Sequence, residues 1–204
     1  MAYSYRSYQS PTSIWVIIVL NLVLFMATML FPELIRFLWL QPASFFSAPW
    51  TIVTTMFAHS GFGHIFANML TLFFFGTYLS RLVGEKRFLI VYFCGGLLGS
   101  AFVILLARLG YLFSIHWLGS PLVPVVGASG AIYALGGALT VLMPRLRVFI
   151  FPLPVPLPLW AVVIGGFVIL SFMPGIAWQA HLGGLVFGLL AGFFFRRKKG
   201  YPVY

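Results

Sequence analysis

Residues 121–144 read PLVPVVGASGAIYALGGALTVLMP, and they decide the fold because the helix they hold is short. Pro121, Pro124 and Gly127 stand before it and Pro144 after it; proline in a helix interior removes a hydrogen bond and clashes with the preceding turn. A helix over residues 129–143 has about 15 residues, or about 22 Å at 1.5 Å per residue. The hydrocarbon core of a bilayer is about 30 Å thick. This helix is therefore expected to start below the outer surface, with an irregular strand descending to it. Non-helical backbone at that depth is tolerated only inside protein or beside a water-filled cavity. Ser129 is thus expected at a buried helix N-terminus that faces such a cavity.

The bilayer in that argument comes from composition. Of 204 residues, 62% are apolar and 7% charged, and mean hydropathy is +1.07. Ordinary soluble domains carry about 25% charged residues, so too few are present to build a water-facing surface. Outward from residues 129–143, five more apolar stretches have the length of membrane helices: 13–31, 63–80, 88–109, 157–173 and 177–195. The expected fold is an all-α membrane protein, a six-helix bundle forming one domain over residues 1–204. Stretch 13–31 follows Arg6 much as a secretory signal would. Its apolar core is long for one and lacks a small-residue cleavage site, so it is expected to be a retained helix.

Charge placement tests this map. Arg6, Arg81, Lys86, Arg87, Arg145, Arg147, Arg196, Arg197, Lys198 and Lys199 all fall on one side if six helices alternate, and only Arg36 and Arg108 fall on the other. Positive residues collect in the cytoplasm. The expected protein is a multi-pass cell-membrane protein with both termini cytoplasmic. Net charge +10 then reports topology; the bilayer is the partner it implies, and nucleic acid is not. The stretch 32–62 is a long outer loop with Pro32, Pro42 and Pro49, and its apolar run Leu34–Leu40 is expected in the interface. The Pro-rich residues 151–158 lead into stretch 157–173. Cys94, the single cysteine, is expected to serve packing. The aromatics at 73–75 and 193–195 are expected to face lipid or the interface.

Few polar residues enter the spans. His64 and Asn68 are four residues apart near the start of the second, and so share a helix face. His181 sits about four residues into the sixth, roughly 6 Å along its axis. Spans two, four and six run in the same direction, which puts Ser129, His64, Asn68 and His181 at similar depth. Ionisable residues at that depth are functional candidates by default. Gly184 and Gly188 on span six, with Gly130, Gly136 and Gly137 on span four, allow close helix approach. A Ser129–His181 hydrogen bond of about 2.6–3.2 Å is then within reach. Each piece has a plainer reading: Gly-x-Ser-Gly as small-residue packing, His64 with Asn68 as an interhelical clamp, His181 as a buried histidine. None of these predicts one shared depth. His59 and His116 are expected in loops or the interface, without a catalytic role.

At these residues the chain resembles the rhomboid family of intramembrane serine proteases. The matching pieces are Gly-Ala-Ser-Gly at 127–130, His-Ile-Phe-Ala-Asn at 64–68 and Ala-His-Leu-Gly-Gly-Leu-Val-Phe-Gly at 180–188, together with their order and the six-helix layout. The resemblance implies that Ser129 is the nucleophile and His181 the general base, with His64 and Asn68 stabilising the oxyanion. It implies that Tyr133 stacks on the histidine, and Gly127, which opens the Gly-Ala-Ser-Gly piece, is expected behind the catalytic residues with it. The implied substrates are transmembrane proteins, cut near the outer end of a transmembrane segment. Trp50 resembles the Trp of a Trp-Arg pair in the first loop, but Thr51 stands where the Arg is expected. The chain has no Asp, and Glu33 and Glu85 are its only acids. With Glu85 expected on the cytoplasmic side and Glu33 near the outer end of span one, the residues allow a Ser–His dyad and no carboxylate triad. With no His-Glu-x-x-His, no metal or cofactor is expected. Two other classes are open. An inactive, segment-binding relative predicts loss of Ser or His, and both are present. A small transporter predicts broken helices paired across two halves, and no internal repeat is seen.

Overall fold

The computed structural model describes residues 12–149 and 154–199, without the side chains of Lys198 and Lys199. Arg6 and residues 151–153, used above, lie outside that range. Among the described residues there are six helices of 13 residues or more: α1 (Thr12–Leu30), α2 (Phe62–Val83), α3 (Glu85–Leu112), α4 (Ser129–Leu142), α5 (Leu159–Ser171) and α6 (Trp178–Lys199). Four of them, α1, α2, α3 and α6, are long and apolar enough to cross a membrane; α4 and α5 are shorter apolar helices. Val16, Val19 and Val23 on α1 and Phe66 and Phe74 on α2 point outward and are exposed. An outer surface of that kind suits lipid.

Helix α4 is the centre. Eleven of its 14 residues are buried, so most of its surface meets protein. Its sequence SGAIYALGGALTVL is rich in small residues, which let neighbouring backbones come close. The approach is tightest against α6. A Cβ at Gly184 would run into the Gly130 carbonyl oxygen, one at Gly188 into that of Ala134, and one at Gly192 would stand 2.9 Å from that of Ala138. The same stagger recurs at every step of four, so α4 and α6 run parallel and in register. Helix α3 closes the other side, with Gly99 against the Ala180 carbonyl. Helix α5 buries only Leu159 and Val163 and sits at the rim.

Most of the basic residues gather at one end. The Ser13 backbone N–H donates to Glu85 Oε1 at 2.9 Å, an acceptor for one of the leading N–H groups of α1. The Arg87 guanidinium lies over the Phe195 ring at 5.5 Å. The start of α1, the α2–α3 turn and the end of α6 therefore share one end of the bundle. Arg145 and Arg147 follow α4, which runs parallel to α6. Arg108 is at the far end of α3, over Phe46.

Several expectations are corrected. The all-α class holds, with one addition between the fourth and fifth helices: the two-residue β1 (Arg147–Val148) pairs antiparallel with β2 (Leu157–Pro158). The fifth helix therefore starts at Leu159 rather than 157, its first N–H donating to the Leu146 carbonyl at 2.8 Å. It ends at Ser171, ahead of Pro174 and of Gly175 at φ +79°. The third helix runs over 85–112 rather than 88–109, because Gly84 turns at φ +92° and Glu85 enters the first helical turn, where the helix dipole favours an acid. The run Leu34–Leu40 is not uniformly interfacial: Phe37 is exposed but Leu40 is fully buried. Cys94 is exposed rather than packed. His59 lies in a loop, as expected, but is buried there at 3% exposure.

Candidate active site

Ser129 opens α4, and the strand that delivers it is pinned by the first loop. Leu40 and Val125 exchange both backbone hydrogen bonds, at 2.9 and 2.8 Å. The Thr55 hydroxyl donates to the Val125 carbonyl at 2.7 Å, and the Gly127 N–H donates to the Thr55 carbonyl at 2.9 Å. Gly127 has φ +129°, which an L side chain rarely adopts. A Cβ there would also stand 2.8 Å from His64 Nε2. Glycine is thus required both by the turn and by the approach of His64. Ala128, the N-cap, has no side-chain acceptor for the first turn. The leading N–H groups of any helix lack intrahelical partners, so α4 presents donors and a positive dipole end beside the Ser129 hydroxyl.

His181 lies in the first turn of α6, and that turn is anchored. Gln179 Nε2 donates to the Leu118 carbonyl at 2.9 Å, and Trp178 stacks on Trp117 at 5.5 Å. The His181 ring is stacked on Tyr133, with centroids 4.5 Å apart and planes 28° from parallel. Its Nε2 is 2.8 Å from Ser129 Oγ. Its Nδ1 is buried without a hydrogen-bond partner among the described residues. If the serine hydroxyl donates to Nε2, the neutral ring carries its proton on Nδ1. Packing against Tyr133, rather than a carboxylate, holds the ring.

His64 and Asn68 line the same cavity, of about 900 Å³, as Ser129, Tyr133 and His181. Asn68 Nδ2 donates to the His64 carbonyl at 2.8 Å, which leaves its second N–H for another acceptor. His64 Nε2 and Ser129 Oγ stand 2.8 and 3.6 Å from the point where a Cβ on Gly127 would sit. The five polar and aromatic residues expected to share a site are thus brought together, with Gly127 behind them. Among the described residues, neither His64 nor Asn68 hydrogen-bonds to Ser129 directly.

Chemically, the cavity offers a hydroxyl on an imidazole nitrogen, donors beside it and apolar walls from Ile132, Val163 and Trp178. Thr55, Leu40, Gln179 and Ser60 were not singled out from the sequence. No spacing marks Thr55, Leu40 or Gln179, because each acts through a partner far along the chain, and Ser60 acts on His64, four residues on, through a turn that no motif marks. At Thr51, where an Arg was expected, the side chain is buried and its hydroxyl donates to the Ala48 carbonyl at 2.6 Å. Trp50 Nε1 donates to the Phe37 carbonyl at 3.1 Å. Arg108 reaches across from α3 to the same loop, donating to the Pro42 carbonyl at 3.5 Å.

A multi-pass helical membrane protein with a serine–histidine pair in an internal cavity is the class that these features define. The chain matches the Rhomboid domain family over residues 47–198, and it belongs to that family, whose members are known as intramembrane proteases. It is 30% identical to the rhomboid-family protein YdcA of Bacillus subtilis, over 74% of this chain and 69% of that one. It is 28% identical to Rhomboid protein 1, mitochondrial, of Saccharomyces cerevisiae, over 71% of this chain and 41% of that one. It is 29% identical to Inactive RHOMBOID-like protein 8 of Arabidopsis thaliana, over 67% of this chain and 35% of that one. Against the yeast and plant relatives the chain spans less than half their length. Since one relative bears the name inactive, activity in this family turns on the residues of the site.

Proposed function

We propose that the chain is an intramembrane serine endopeptidase that cuts transmembrane segments of membrane proteins near their outer end with a Ser129–His181 dyad. The observation that carries this reading is the 2.8 Å approach of His181 Nε2 to Ser129 Oγ in a cavity that His64, Asn68 and Tyr133 also line. It lies within the range for a nucleophile and its base. The chain acts as a single membrane domain with six crossings, the basic end in the cytoplasm and the site in the outer half of the bilayer. The positive-inside rule and the clustering of Arg87, Arg196 and Arg197 at one end support that orientation.

The substrate segment unwinds locally, because a helical peptide bond is shielded. Ser129 Oγ attacks the carbonyl carbon while its proton passes to His181 Nε2. The carbonyl becomes an oxyanion, held by N–H groups at the start of α4 and by His64 and Asn68. The C–N bond then breaks as the amine takes the proton from His181, leaving an acyl ester on Ser129. Water, deprotonated by His181, hydrolyses the ester. An imidazolium next to Tyr133 gains from the ring face, one source of stabilisation with no carboxylate at hand.

The test is reconstitution in vesicles with a reporter single-span substrate. Cleavage is expected for the natural chain and none for Ser129→Ala. Retention of cleavage in Ser129→Ala would overturn the reading. Labelling by a fluorophosphonate that is lost in His181→Ala checks the dyad independently.

A further inference from the structure

Ser60 lies in the turn before α2, and it faces His64 rather than Ser129. Its hydroxyl is 3.0 Å from His64 Nδ1, and its backbone N–H is directed at the same nitrogen at 3.5 Å. A backbone N–H can only donate. A proton on Nδ1 would set two N–H groups against each other, so the neutral ring keeps a lone pair there and carries its proton on Nε2. That nitrogen is the one beside Gly127, on the Ser129 side of the ring. The neighbouring His59 ring packs against His64 at 5.0 Å with planes 66° apart, which limits rotation of the imidazole about its bond.

From this geometry we infer that Ser60 is a positioning residue: it fixes His64 as the Nε2–H tautomer, so that the ring donates toward the oxyanion at Ser129. The inference rests on the reading of Ser129 as nucleophile. The opposite tautomer would turn a lone pair toward the developing negative charge and lose a donor. Ser60 makes no contact with the reacting atoms, so its effect passes entirely through His64. A single hydrogen bond of this kind is worth about 0.5–1.5 kcal/mol. Losing the hydroxyl while the backbone N–H remains is expected to lower kcat about two- to tenfold.

The experiment has two arms on the full reconstituted protein. The first is ¹⁵N NMR of histidine-labelled protein, with the His64 signals assigned by His64→Gln. It should show an unprotonated Nδ1 and a protonated Nε2, and Ser60→Ala should shift the tautomer balance toward Nδ1–H. The second arm is kinetics with the reporter substrate. Ser60→Ala should lower kcat with KM within about twofold, Ser60→Thr should restore it, and Ser60→Ala should add nothing in a His64→Ala background. A protonated Nδ1 in the natural chain overturns the proposal. So does a Ser60→Ala loss of the same size with and without His64, which marks a merely structural role. The NMR arm does not require proteolysis, so it stands even if Ser129→Ala shows the serine reading to be wrong.

Discussion

Gly184→Ala isolates the contact that brings Ser129 and His181 together. The added Cβ would run into the Gly130 carbonyl oxygen and stand 2.8 Å from the carbonyl carbon and 3.2 Å from Cα of the same residue. Non-bonded carbons settle at about 3.5–4.0 Å. The atom in the way is backbone, on the most buried helix of the bundle, so it cannot swing aside. Helix α6 must therefore back away from α4 by about 1 Å near Gly184. His181 is three residues earlier on α6 and faces Ser129 from 2.8 Å, so the displacement stretches that hydrogen bond beyond useful length. Misplacement by about 1 Å can cost about 100-fold in rate, while overpacking costs about 1–3 kcal/mol of stability. Gly184→Ala should thus insert and fold yet cleave the reporter substrate about 100-fold more slowly, and label poorly with fluorophosphonate. Gly165→Ala is the control, because no atom lies within 4 Å of its Cβ position on α5. Its activity should match the natural chain. Cleavage by Gly184→Ala within about threefold of the natural rate would refute the account of α4–α6 packing as what sets the pair's geometry.

Three further outcomes follow from the site. Asn68→Ala removes a donor from the proposed oxyanion site and should lower kcat by about 10²–10³-fold, with KM little changed; an equal change in KM would place Asn68 in substrate binding instead. Tyr133→Phe keeps the stack on His181 and should retain most activity, whereas Tyr133→Leu loses an aromatic pair worth about 0.5–1.5 kcal/mol and should slow cleavage about two- to tenfold; equal rates for the two variants would dismiss the stacking role. Gln179→Ala leaves the Leu118 carbonyl without its 2.9 Å donor and should destabilise the start of α6 by about 1–3 kcal/mol, read as a lower unfolding midpoint in detergent; an unchanged midpoint would show that the Trp117–Trp178 stack alone holds that end.

The sequence by itself determined that this chain lives in a membrane and that a short helix begins at Ser129, and it singled out His64, Asn68 and His181 as candidates to meet that serine. Those conclusions are local or compositional. Two prolines and a glycine end a helix wherever they sit, a charge is costly in hydrocarbon whatever its neighbours, and four residues make one helical turn. The Gly-x-x-x-Gly steps on the last helix likewise announce close packing before any partner is known. The tertiary structure decided what depends on pairs far apart in the chain. Thr55 and Leu40 hold the strand before Ser129 across about 70 and 85 residues. The α4–α6 register fixes a Ser–His distance that no spacing encodes. His59, expected in a loop or the interface, lies in the loop as a buried neighbour of His64, and Ser60 is a hydrogen-bond partner of His64, because the turn before α2 folds back over the first turn of the helix. Sequence can say which residues reach the same level of the bilayer. Which of them touch depends on side-chain shape at helix contacts, and that is settled only when the helices pack.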